Sequence, residues 1–152
     1  MTLRARLADA LKAAMKAKET DRLATLRLIN AAIKDREIAA RTDGRDVELS
    51  DSDLVAVLTR MVKQRRDSAR AYEEAFRLDL AEKELAEIVV IESFLPRQMS
   101  EAEISTAIDA TIARLGAKSV RDIGAVMAAL KEQYAGQLDF GRAGALVKAR
   151  LA

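Results

Sequence analysis

The sequence predicts an all-α fold, with an N-terminal helical bundle of about four helices followed by a small three-helix C-terminal domain. Three observations carry this. Ala, Leu, Glu, Lys and Arg dominate the chain, and these are strong helix formers. Apolar residues recur at spacings of three and four in seven successive segments. The single proline, Pro96, falls between an apolar helix end and a capping signal, Ser100 with Glu103 three places on. That seam divides residues 1–96 from residues 97–152.

Helix one is expected over Thr2 to Lys18, with Leu3, Leu7, Ala10, Leu11 and Ala14 on its inner face. Helix two, capped at Thr20 or Asp21, runs to about Arg41 on a stripe of Leu23, Leu26, Ile29 and Ile33. Thr42 to Leu49 reads as a polar loop turning at Gly44. Ser50 with Asp53 opens helix three, a long one reaching about Leu78, with Leu54, Leu58, Met61, Val62, Ala69, Tyr72 and Phe76 facing inward. Asp79 starts helix four, whose stripe is Ala81, Leu85, Ile88, Ile91 and Leu95. Beyond the seam, helix five spans Glu101 to Leu115 and stops at Gly116. Ser119 with Asp122 opens helix six, faced by Val120, Ile123, Met127, Leu130 and Tyr134, and Gly136 ends it. Asp139 caps helix seven, with Phe140, Ala143, Val147 and Leu151 inward.

Composition excludes several function classes. The chain has no cysteine and no histidine, which removes thiolate chemistry, the familiar catalytic triads and the commonest metal ligand together. No metal site and no cofactor are expected. No apolar run approaches the ~20 residues of a membrane span, so no membrane role is expected. With no hydrophobic signal core at the N-terminus, the expectation is a soluble cytoplasmic protein. Charge is balanced over residues 1–96 and net +2 over 97–152, without the basic excess of a dedicated nucleic-acid domain. No DNA specificity is expected.

Local charge patterns yield the candidate sites. Arg60, Lys63, Arg66 and Arg70 gather on one side of helix three as a secondary basic patch. An acidic run over 79–92 can face it if the two helices fold antiparallel, and neutralisation by that neighbour is favoured over an RNA patch. Arg65 and Glu92 each interrupt an apolar face. A buried charge is tolerated when paired, so the two are expected to form a mutual structural ion pair. In the C-terminal part, Lys118, Arg121, Lys131, Arg142 and Lys148 could contact phosphates. Gly124 and Gly136 could leave bare backbone for an RNA strand. Close helix packing is the favoured reading of Gly124. No GxGxxG or P-loop pattern is present, and no catalytic arrangement of residues stands out.

Six motifs in order then define a resemblance: LRLINAAIKDREI (26–38), KQRRDSAR (63–70), RLDLAEKE (77–84), FLPRQMSEAEI (94–104), DIGAVM (122–127) and GQLD (136–139). Together they resemble the YqeY family across essentially the whole chain. The C-terminal part of that family is similar to the tail domain of GatB, the tRNA-handling subunit of the glutamine-dependent Asp/Glu-tRNA amidotransferase. The resemblance implies a non-catalytic helical binding module that engages tRNA or a tRNA-linked amidotransferase. Its contacts would centre on Asp122, Gly124, Met127, Gly136 and Asp139. Where the family more often has GRAD, this chain has GQLD, so Gln137 replaces a base. The alternatives are an accessory to glutamine-dependent carbon–nitrogen ligase activity, or a protein–protein adaptor without an RNA role.

Overall fold

The computed structural model describes residues 1–41 and 48–152, so the expected turn at Gly44 lies outside the described residues. Those residues form seven α-helices and no strand: α1 Leu3–Ala17, α2 Thr20–Ala40, α3 Asp51–Glu74, α4 Leu78–Glu92, α5 Glu101–Leu115, α6 Ile123–Gln133 and α7 Phe140–Leu151. They divide into two compact units, Met1–Pro96 and Arg97–Ala152.

The first unit holds α1 to α4 around one core. Leu3, Leu7 and Ala14 of α1 meet Leu26, Ile29 and Ile33 of α2, Leu54, Leu58, Met61 and Val62 of α3, and Ile88 and Ile91 of α4. Helix α3 begins as its sequence demands. Ser50 Oγ accepts the Asp53 amide while the Asp53 carboxylate accepts the Ser50 amide. Leu49, just before this cap, and Leu54 at the fourth helical position share the core, a hydrophobic staple. Helices α3 and α4 form a hairpin whose tip departs from the expected face. Helix α3 stops at Glu74, and Phe76 takes a left-handed backbone (φ 58°). Phe76 is therefore 89% exposed rather than inward. The tip is a Schellman closure: the Arg77 amide donates to the Tyr72 carbonyl and the Phe76 amide to Glu73.

The second unit packs α5, α6 and α7 around Ile108, Val126, Leu130, Ala143 and Val147. Ser100 and Glu103 form a full capping box on α5. Arg97 clasps the same Glu103 carboxylate through two hydrogen bonds of 2.9 and 2.6 Å. These partners, Arg97 first and the Ser100 amide next, hold the Glu103 carboxyl at about 2, below its usual 4.5. The Ser119–Asp122 box opens a 3-10 turn, Val120–Asp122, and α6 follows it. The tighter turn rotates the helix, so Val126 is buried and Val120 is left half-exposed. The chain before α5 is strapped to the turn after α6. The Met99 amide donates to Gln137 (2.7 Å) and the Gln98 amide nitrogen to Gly136 (2.6 Å).

Candidate nucleic-acid interface

The charged side chains of the second unit fall into two groups, those consumed by helix pairing and those left over. Helices α5 and α7 are joined by polar contacts. Arg142 pairs with Glu101, and Arg150 pairs with Asp109 (2.7 Å) and with Ser105. Helices α6 and α7 pack without any ion pair among the described residues. A Cβ added at Gly144 would lie 3.8 Å from Met127 Cε, and Lys131 Nζ lies 5.8 Å from the centre of the Phe140 ring. These two contacts run α6 and α7 antiparallel. Gly124 and Lys131, seven apart, share one face of α6. Gly141, Gly144 and Lys148 share one face of α7. These faces thus carry three glycines and two lysines.

The sequence candidates land unequally on this seam. Lys148 and Arg121 are exposed and make no ion pair among the described residues, and the turn that carries Arg121 packs against α7. Lys118 is exposed on the same turn, with its backbone amide bonded to Asp122 at 2.9 Å. Lys131 rests on Phe140, a cation–π contact that leaves the ammonium at the surface. Gly124 is exposed, and a methyl placed on it meets nothing within 4 Å, so close helix packing does not explain it. Arg142 differs from the free cations because Glu101 neutralises it. Gly136 is buried, not bare: it turns the chain at φ 77°, and its carbonyl accepts Gln98.

The acids at this end are structural. Asp122 accepts the Lys118 and Ser119 amides, and those bonds hold its carboxyl below the usual carboxylate range. Asp139 caps α7 by accepting the Gly141 amide at 2.8 Å. Met127 is packed beside Gly144. Of the five positions that the resemblance singles out, Gly124 alone presents an open surface.

In the first unit the expected mutual pair of Arg65 with Glu92 does not form. Arg65 Nε bonds Glu87 at 2.8 Å, with the two side chains only 15% and 17% exposed. Glu92 instead takes Arg66 at 2.6 Å. Both ends are paired as burial demands, but the partners are exchanged. Glu87 lies beside Arg65 across the hairpin, and Glu92, more than a turn further along α4, reaches the next arginine. Neutralisation by the acidic run therefore covers Arg65 and Arg66. Arg60, Lys63 and Arg70 make no ion pair among the described residues and occupy the outward face of α3. Among the described residues no cluster of His, Cys, Asp or Glu is placed to hold a metal ion, and no helix is long and apolar enough to cross a membrane.

Two helical units, with no strand among the described residues, define the class: an all-α protein. Residues 4–151 match the family described as Yqey-like protein, and the chain belongs to the YqeY family. It is 37% identical over 90 residues to "Altered inheritance of mitochondria protein 41, mitochondrial" of Kluyveromyces lactis, covering 59% of this chain and 46% of that protein. The protein of the same name from Lachancea thermotolerans is 34% identical over 113 residues, 73% of this chain and 58% of that one. The one from Clavispora lusitaniae is 41% identical over 85 residues, 56% and 46%. The chain spans about half the length of these relatives. Their names assign them to mitochondria, and this overturns the expectation of a cytoplasmic protein.

Proposed function

We propose that this chain is a non-catalytic binding module whose C-terminal unit engages tRNA, alone or beside a tRNA-linked amidotransferase, along the seam of α6 and α7. One observation carries the reading. Arg121, Lys131 and Lys148 make no ion pair among the described residues and lie on α6, on α7 or on the turn before α6, the helix that carries exposed Gly124, while Arg142 and Arg150 are spent on α5. A sugar–phosphate backbone needs such a combination: close approach to the helix surface, and ammonium or guanidinium groups still free to displace its counterions. The site is small, so contacts should be few and affinity strongly dependent on salt.

Titrating the full chain with unfractionated tRNA across a range of salt concentrations tests this. The expected result is binding at low salt whose logarithm falls linearly with log salt, at about 0.7 to 0.9 per phosphate contacted. Absence of binding at low salt would overturn the reading. Amide transfer from glutamine by the purified chain alone would overturn its non-catalytic part.

A further inference from the structure

We propose that Phe140 is a stacking platform for an unpaired base, so that the RNA held by the second unit is a single strand, a loop or free end rather than a stem. This rests on the tRNA reading above and states which part of the RNA is held. Phe140 opens α7 directly after its cap, and it packs against the core of the unit while only partly buried. Lys131 Nζ lies 5.8 Å from the centre of the ring. Lys131 is exposed and makes no ion pair among the described residues. The acids nearest in sequence are directed elsewhere. Asp139 turns its carboxylate to the start of α7, where it accepts the Gly141 amide at 2.8 Å. Glu132 follows Lys131 and so projects about 100° further round α6.

Phe94 shows how the same chain seals a ring with cations. It is 6% exposed, and Arg6 of α1 and Arg22 of α2 lie over it at 5.8 and 5.9 Å. Arg6 is anchored there by a hydrogen bond to the Ser93 carbonyl at 3.4 Å. Phe140 carries one lysine instead of two arginines, and Lys131 has no second partner among the described residues. An ammonium is also compact and strongly hydrated, so it leaves a ring more readily than a guanidinium does. On an exposed ring it shifts an equilibrium by a factor of about two to five, whereas a nucleobase stacked on an aromatic ring shifts it by about fivefold or more. A base therefore displaces Lys131 with a net gain. The released ammonium stays within a side-chain length of that base and is free to take its phosphate. One contact within the chain is exchanged for two with the RNA. A base inside a stem cannot make the exchange, because its faces are covered by its stacked neighbours.

The test titrates the full chain with tRNA, with a single-stranded oligouridylate of about 12 nucleotides and with a blunt RNA duplex of the same length. At equal salt the single strand should bind about fivefold tighter than the duplex. Phe140→Leu keeps the apolar packing and removes the aromatic face. It should weaken single-strand binding about fivefold, leaving duplex binding and the slope of log affinity against log salt unchanged. Phe140→Tyr, which keeps a ring, should retain the affinity. Lys131→Met should do the reverse of Phe140→Leu: the slope falls by about 0.7, one phosphate on a single strand, and the preference for the single strand remains. A loss of fold would weaken both RNAs together and would not separate these readouts. The chain has no tryptophan, so Phe140→Trp adds a lone reporter whose fluorescence the single strand should quench and the duplex should not. Binding of tRNA that Phe140→Leu leaves unmoved, or a duplex bound as tightly as the single strand, would overturn the proposal and leave the tRNA reading standing. Absence of tRNA binding at low salt would overturn both.

Discussion

Among the described residues, three helix ends close directly on a residue with positive φ, and one of the three is glycine. Lys18 (φ 56°), Phe76 (φ 58°) and Gly116 (φ 65°) occupy equivalent places after α1, α3 and α5. In each, the following amide reaches back five residues: Glu19 to Ala14, Arg77 to Tyr72 and Ala117 to Ile112. A Cβ in the left-handed region strains the backbone by about 1–2 kcal/mol. Lys18→Gly and Phe76→Gly should therefore each raise the unfolding free energy by about 1 kcal/mol in chemical denaturation, whereas Gly116→Ala should lower it by a similar amount. The stop at Gly116 was legible from sequence because glycine announces it. The stop before Phe76 was not, since an aromatic residue at the right spacing continues the apolar pattern of α3. The same period placed Arg65 and Glu92 inside apolar faces correctly. It could not tell which acid stands opposite which base, since partner choice depends on the register of the hairpin. A double-mutant cycle checks the exchange. Removing either member of Arg65–Glu87 should cost about 3 kcal/mol, with strong coupling between the two. Coupling between Arg65 and Glu92 should be near zero.

At the scale of elements, capping chemistry set most boundaries, and it was visible in the chain. Ser50 with Asp53 and Ser100 with Glu103 form the boxes their spacing announces. Ser119 with Asp122 forms one too, yet it opens a 3-10 turn, and the altered twist moves the buried face from Val120 to Val126. Periodicity assumes a regular helix from the first residue, so it could not foresee this. The start of α5 yields a pH prediction. Glu103 is held at about 2 against a usual 4.5, by Arg97 first and then by the Ser100 amide and hydroxyl. Its folded-state value is depressed, so its stabilising effect is present above pH ~4.5 and is lost as pH falls toward 2. Glu103→Gln should flatten that part of the stability–pH curve, followed by helix content in acid titration. Added salt should narrow the difference, because the pair is exposed.

For the whole molecule, the fold class was legible in helix-forming composition and spacing. The functional surface was legible only in part. Sequence could name the cations Lys118, Arg121, Lys131, Arg142 and Lys148, but it could not sort them, because sorting requires knowing which helix carries the opposing acid. Glu101 neutralises Arg142 from the first turn of α5, 41 residues away in the chain. Nothing comparable reaches Lys148 among the described residues. Gly124 was weighed as a packing glycine, and the structure leaves it facing open space. Two surface bases on the same helix should therefore differ in worth to a bound RNA. The most direct measurement compares the salt dependence of tRNA affinity for Lys148→Ala and Arg142→Ala. Lys148→Ala should reduce the slope of log affinity against log salt by about one contact, while Arg142→Ala leaves it unchanged. Equal effects from the two substitutions, or none from either, would contradict it.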